Sequence, residues 1–147
     1  YDGDPSFLAD TAYPLSRLYD RLSRLKAKEV LVILDSCFSG AGGRSVLAKN
    51  TRPLVMVKDT PPPASKNMIV LTSSRGSQIT TSLAEVGHGA FTYFFLLALQ
   101  EGNRDIGEVF AYLNPRVTEE AKRQNVDQNP SISPAPDKLK GRFLFAK

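Results

Sequence analysis

The sequence predicts an α/β fold: a mainly parallel sheet with helices on both faces. Two runs of apolar residues, Val30–Leu34 and 68–71, are unbroken rather than alternating, which is typical of strands covered on both sides. Helical periodicity precedes the first run and follows the second. The resulting order is helix, strand, long loop, strand, helix, helix, strand, and this alternation favours a layered α/β sheet.

The first predicted helix carries a leucine stripe. Leu15, Leu18, Leu22 and Leu25 recur at helical spacing, and Pro14 suits the first helical position because its missing N–H has no intrahelical partner there. Arg17, Arg21 and Arg24 fall on the other side, so the pattern predicts an amphipathic helix.

Two helices are predicted in the second half of the chain. Residues 89–99 are apolar all round, which indicates a buried helix, and Gly102 supplies its stop. Asp105 with Glu108 three residues later resembles a capping box. The apolar stripe that follows predicts a helix kinked or broken near Pro115.

The predicted sheet is small for such buried strands. Residues 142–145 predict the last strand, giving three, whereas sheets usually hold about four to six. We therefore expect another chain or a missing segment to pair with the open side of Val30–Leu34.

Composition excludes several classes of protein. A chain of 147 residues fits one domain, and its net charge of +4 comes from basic residues spread along the chain, which does not favour nucleic-acid binding. The longest apolar run, 91–99, is too short to span a membrane. One cysteine and one histidine, Cys37 and His88, exclude a disulfide framework and a Cys/His metal site. A lone thiol suits the cytoplasm.

Cys37 lies where α/β sheets bind ligands, beyond the carboxyl end of a strand. It follows Leu34 by three residues on a glycine-rich turn. Position alone leaves two interpretations open, a nucleophile or a buried, inert thiol.

The residues around Cys37 resemble a known family. Residues 35–40, Asp-Ser-Cys-Phe-Ser-Gly, are similar to the nucleophile segment of the caspase-like cysteine peptidases, in the metacaspase and bacterial orthocaspase branch. Residues 87–93 resemble the start of a helix in the family's small subunit. The resemblance implies a three-layer α/β/α sandwich, of which this chain is the C-terminal portion. Residues 1–43 then end the large-subunit-like part, 44–67 form the linker, and 68–147 form the small-subunit-like part.

The resemblance also implies roles for particular residues. Cys37 matches the nucleophile, and its N–H would contribute to an oxyanion hole. Asp35 matches the acidic residue of the specificity pocket, implying peptide or protein substrates with Arg or Lys before the cleaved bond. The alternative for Asp35 is a strand-end residue that caps nearby N–H groups. Ser73 and Ser74 match the region that forms the other wall of the pocket.

The catalytic histidine of this family is expected about 50 residues before the cysteine. None of the 36 residues before Cys37 is a histidine. We therefore expect the N-terminal portion of the same domain to supply it as a partner. His88 matches a helix start, so we expect a structural or rim role for it.

The resemblance implies no cofactor and no metal. Calcium activates some metacaspases, but the sequence supports no calcium site. A pocket for Arg or Lys would make basic residues of the linker candidates for self-cleavage: Arg44, Lys49, Arg52, Lys58 and Lys66.

Two other functions remain open. One is an inactive module that uses the same fold for interaction or regulation. The other is a flavodoxin-like module that binds an anion, although Gly40, Gly42 and Gly43 do not form a phosphate-binding loop.

Overall fold

A computed structural model describes residues 4, 7–36, 65–75, 78, 80–83 and 88–145. Cys37 lies outside these residues. So do most of the linker and the self-cleavage candidates before Lys66. The elements are α1 (Leu8–Thr11), α2 (Leu15–Ser23), β1 (Val30–Leu34), β2 (Met68–Thr72), β3 (Ser82–Leu83), β4 (His88–Gly89), α3 (Ala90–Gln100), α4 (Ile106–Arg123) and β5 (Ser131–Ser133), followed by a 3₁₀ turn (Pro136–Lys138). No helix in the described part of the chain is long and apolar enough to cross a membrane.

The main sheet has the order β1-β2-β5. β1 and β2 are parallel, with Val30 opposite Met68 and Leu34 opposite Thr72, whereas β5 runs antiparallel to β2. The three described strands therefore form a mixed sheet, with one parallel and one antiparallel pair. A mainly parallel sheet completed by another segment stays a prediction. Among the described residues no strand pairs with the outer side of β1, and Ile33 on that strand is 41% exposed.

The third strand is not where the sequence predicted it. Residues 142–145 form only an isolated bridge, between Leu144 and Asp105. Phe143 has a φ of 45°, a left-handed conformation that is incompatible with a strand. The prediction was wrong because the apolar pattern of this segment serves packing of its side chains, while β5 is a short Ser-Ile-Ser segment with little strand signal.

Hydrophobic residues of β2 pack into two separate clusters. Ile69 and Leu71 join the cluster formed with α3 and α4. Met68 and Val70 join Tyr19 of α2 and Val32 of β1 in the other. Since alternate residues of a strand point to opposite faces, helices cover both faces of β2.

The predicted helix ends are confirmed. Asp105 accepts a hydrogen bond from the Gly107 N–H at 2.7 Å, and Glu108 accepts one from the Asp105 N–H at 3.3 Å, which completes the capping box of α4. Gly102 follows α3 with a φ of 93°.

α4 continues through Pro115 instead of breaking there. Its apolar stripe is buried on both sides of the proline, and this packing offsets the lost backbone hydrogen bond.

Candidate active site

The candidate site lies at the carboxyl end of the two parallel strands. Leu34 and Thr72 are paired, and the Ser73 N–H donates to the Leu34 carbonyl at 2.9 Å, so the pairing continues one residue beyond β2. Asp35 and Ser73 therefore follow the ends of neighbouring strands. The sequence separates these residues by 38 positions, and the parallel register brings their segments together.

Asp35 is exposed and lies against the amino end of α3. Its Oδ2 accepts a hydrogen bond from the Thr92 hydroxyl at 2.5 Å. A Cβ placed on Gly89 would come within 3.3 Å of the same oxygen, so the glycine permits this close approach. A carboxylate at a helix amino end is favoured by the N–H dipoles that point toward it.

Ser73 and Ser74 directly follow β2 and are buried. Ser73 is 0% exposed and Ser74 is 3% exposed. Neither hydroxyl has a hydrogen-bond partner within the part of the chain that the structure describes. Buried polar groups are normally paired, because an unpaired one costs about 1–3 kcal/mol. These two hydroxyls consequently retain hydrogen-bonding capacity next to the end of β2.

Gln128 holds three segments of the site together, and no pattern in the sequence predicts this role. The side chain is buried, and its Nε2 donates to the Ser73 carbonyl at 2.9 Å. Its Oε1 accepts from the N–H of Thr81 at 2.7 Å and from the Thr81 hydroxyl at 2.8 Å. Thr81 in turn accepts from the Ala90 N–H at 2.9 Å, which links the network to α3. A lone glutamine in a polar, proline-containing loop has no periodicity that could have marked it.

His88 lies in the short β3–β4 hairpin directly before α3. It pairs with Leu83 and is exposed. This placement agrees with the predicted position at a helix start. Its role stays a prediction, since Cys37 lies outside the described residues.

A groove of about 690 Å³ lies away from Asp35, between α4, β5 and the residues after β2. It is lined by residues of mixed character that include Arg75, Phe110, Asn129 and Ile132. Asp35 does not line the groove, so we place the candidate site by its chemistry and not by cavity volume. Among the residues with described positions, no three His, Cys, Asp or Glu side chains form a cluster that could hold a metal ion.

A family model described as the caspase domain matches residues 9–139, which is 131 of the 147 residues. The chain belongs to the caspase domain family. This confirms the resemblance at the level of the family, whose members are cysteine peptidases. Searches of curated proteins and of solved structures gave no significant match. The matched range of the caspase domain includes Cys37, Asp35 and the strands and helices around them.

Proposed function

We propose that this chain is the C-terminal portion of a cysteine endopeptidase of the metacaspase and orthocaspase branch that cleaves after Arg or Lys. The observation that carries the proposal is the exposed Asp35 carboxylate at the carboxyl end of β1, two residues before Cys37. Its single described hydrogen-bond donor is the neutral hydroxyl of Thr92. The carboxylate thus has no cationic partner among the described residues and can pair with a cationic substrate side chain.

The proposed reaction begins at Cys37. Its thiolate attacks the carbonyl carbon of the scissile peptide, so that a C–S bond forms and the carbonyl oxygen gains negative charge. Backbone N–H groups near Cys37 would stabilise that charge. A general-base histidine accepts the thiol proton when the thiolate forms and so becomes an imidazolium. The C–N bond then breaks as the oxyanion reforms the carbonyl and the leaving amine takes that proton, which leaves a thioester on Cys37. Water then attacks the thioester and gives a proton to the histidine, which passes it to the departing Cys37 sulfur as the carboxylic acid product is released.

The general base in this proposal is a histidine from the N-terminal portion of the same domain. Two observations support the need for it. No histidine precedes Cys37 in the sequence, and the outer side of β1 has no described strand partner. Strands of the N-terminal portion would pair with that side of β1, complete an α/β/α sandwich and bring the histidine toward Cys37.

Asp35 selects the substrate in this proposal, and Ser73 and Ser74 form the floor beside it. A carboxylate binds the guanidinium of Arg through two parallel hydrogen bonds and the ammonium of Lys as a point charge. It repels an acidic side chain. Ser73 and Ser74 contribute hydroxyls that have no described partner.

The lack of a histidine before Cys37 in this sequence also favours a second candidate function. A caspase domain without a histidine near Cys37 would be an inactive module used for interaction or regulation. This function predicts binding of basic peptides at Asp35 without turnover.

The test uses the full-length protein and a fluorogenic peptide that ends in Arg. We expect hydrolysis that a thiol alkylator abolishes and that Cys37→Ala lacks. Absence of hydrolysis in the wild-type protein, with retained binding of the peptide, would favour the inactive module. Hydrolysis that survives both alkylation and Cys37→Ala would exclude Cys37 as the nucleophile.

Self-processing follows from the same specificity. The linker, residues 44–67, offers five basic residues as cleavage sites: Arg44, Lys49, Arg52, Lys58 and Lys66. We expect mass spectrometry to find cuts after these residues in the wild-type protein and none in Cys37→Ala. Equal cutting of both proteins would assign the cleavage to another protease.

A further inference from the structure

We propose that Thr92 is a positioning residue for substrate selection. Its hydroxyl fixes the plane of the Asp35 carboxylate, so that the carboxylate receives a planar guanidinium better than an ammonium. This inference rests on the proposed function, because it assigns a role at the same specificity site. The Thr92 hydroxyl would set the preference between Arg and Lys side chains, which Asp35 alone does not determine.

Among the described residues, Thr92 alone donates a hydrogen bond to the Asp35 carboxylate. The hydroxyl oxygen of Thr92 lies 2.5 Å from Oδ2 of Asp35. In the part of the chain with described positions, no other group donates a hydrogen bond to this carboxylate. Asp35 is exposed, so side-chain packing does not fix its orientation. Among the described residues, one hydroxyl therefore restrains the rotation of the carboxylate about its Cβ–Cγ bond.

Thr92 is itself held rigidly. It lies in the first turn of α3, next to Ala90 and Phe91, which are 0% and 1% exposed. The Ala90 N–H donates to the carbonyl of Thr81, which anchors the start of the helix. A threonine in a helix is restricted mainly to two rotamers, and the one adopted by Thr92 directs its hydroxyl to Asp35.

The orientation of the carboxylate matters more for Arg than for Lys. A guanidinium forms two parallel hydrogen bonds only when both carboxylate oxygens lie in its plane. An ammonium is a compact charge with rotatable donors, and it tolerates a turned carboxylate. Removal of the Thr92 hydroxyl should therefore weaken recognition of Arg more than recognition of Lys.

The first experiment compares Thr92→Val, which removes the hydroxyl at nearly constant shape, with Thr92→Ser, which keeps it. Matched fluorogenic peptides that differ only in Arg or Lys before the cleaved bond are assayed on the full-length proteins. We expect Thr92→Val to raise KM for the Arg peptide about five- to tenfold, the usual effect of one lost hydrogen bond, and for the Lys peptide about twofold or less. Thr92→Ser should retain the wild-type preference, and kcat should change little.

Equal losses on the two peptides, or a Thr92→Ser protein as impaired as Thr92→Val, would overturn the inference. Thermal denaturation of each variant checks its fold. Thr92→Ala offers a second removal of the hydroxyl in case the valine variant does not fold.

A binding experiment separates failure of this inference from failure of the proposed function. Benzamidine and butylamine, an amidinium and an ammonium, are titrated into full-length Cys37→Ala protein with and without Thr92→Val. We expect Thr92→Val to weaken binding of benzamidine more than binding of butylamine. If neither probe binds the protein with Thr92 intact and the wild type cleaves no basic peptide, the proposed function fails. If both bind and Thr92→Val changes neither, the inference alone fails.

Discussion

The two ends of β1 each carry a carboxylate, and the two carboxylates have different surroundings. Glu29, before the strand, accepts hydrogen bonds from the Arg142 Nε at 2.9 Å and from the Phe143 N–H at 2.7 Å. Asp35, after the strand, accepts one described hydrogen bond, from the neutral hydroxyl of Thr92. One carboxylate is neutralised within the chain, whereas the other has no described cationic partner.

The surroundings of Glu29 also change its pKa. Burial acts to raise the pKa, but the hydrogen bonds from Arg142 and Phe143 and the charge of Arg142 outweigh burial and hold the pKa of Glu29 below its usual range. Arg142 further donates to the Lys66 carbonyl at 3.0 Å, so this ion pair ties β1, the approach to β2 and the C-terminal segment together. The amino end of the sheet is thus built for stability, and the carboxyl end presents a charge outward.

The largest expected effect is at Asp35. Asp35→Asn removes the charge but keeps an oxygen that can accept from Thr92. A bound Arg or Lys side chain would cover this carboxylate, and loss of one partner of a buried charge pair costs about 2–5 kcal/mol, so we expect kcat/KM for Arg and Lys peptides to fall about thirtyfold or more. The unfolding free energy, measured by chemical denaturation, should stay close to that of the wild type. If Asp35→Asn lost as much stability as a Glu29 variant, the carboxylates at the two ends of β1 would not differ in their contribution to folding, which would contradict the comparison.

The next largest effect is expected at Gln128, whose hydrogen bonds connect the segments at the carboxyl end of the sheet. Gln128→Leu leaves the polar groups of Thr81 and the Ser73 carbonyl buried without their partner. We expect a loss of about 2–4 kcal/mol in the unfolding free energy, measured by chemical denaturation. Gln124→Leu, a change at an exposed glutamine near the end of α4, should cost less than about 0.5 kcal/mol. Similar losses for the two variants would show that Gln128 does not organise the site.

A smaller effect is expected at the amino end. Glu29→Gln removes the charge that pairs with Arg142, and we expect a loss of about 1–2 kcal/mol in stability with little change in kcat/KM. The matched control is Glu119→Gln, which affects the exposed Arg123–Glu119 pair at 2.7 Å and should cost less than about 0.5 kcal/mol. A reduced kcat/KM at unchanged stability would place Glu29 in the functional site.

The smallest expected effect is the pH dependence of this pair. Because the pKa of Glu29 is lower in the folded chain, its contribution to stability is fully present above the unfolded value of about 4.3 and is lost as pH falls through the folded value. The stability difference between wild type and Glu29→Gln should therefore be constant near neutral pH and shrink in acid. A difference that grows as pH falls would contradict this sign.

Much of the fold could be predicted because it depends on local patterns. The apolar runs placed β1 and β2, and the spacing of Asp105 and Glu108 placed the start of α4. The third strand could not be predicted, because β5 is defined by its pairing with β2 and not by its own three residues. The apolar residues 142–145 were misleading for the same reason, since Glu29 holds the left-handed Phe143 out of a strand.

The residues of the candidate site could also be predicted only in part. Asp35, Ser73 and Ser74 were predicted from the ends of the strands and from the family resemblance, and the parallel register brings their segments together. Thr92 and Gln128 were not predicted, because their roles depend on hydrogen bonds to residues 57 and 55 positions away. Such contacts leave no periodic signal in the sequence.

The most direct test of the proposal that the Asp35 carboxylate selects cationic substrates is the preference profile of the full-length wild-type protein. Peptides identical except for Arg, Lys, Gln or Asp before the cleaved bond would be compared by kcat/KM. We expect the Arg and Lys peptides to exceed the Gln and Asp peptides by about a hundredfold or more. Cleavage of the Gln or Asp peptide at a comparable rate would contradict the role assigned to Asp35.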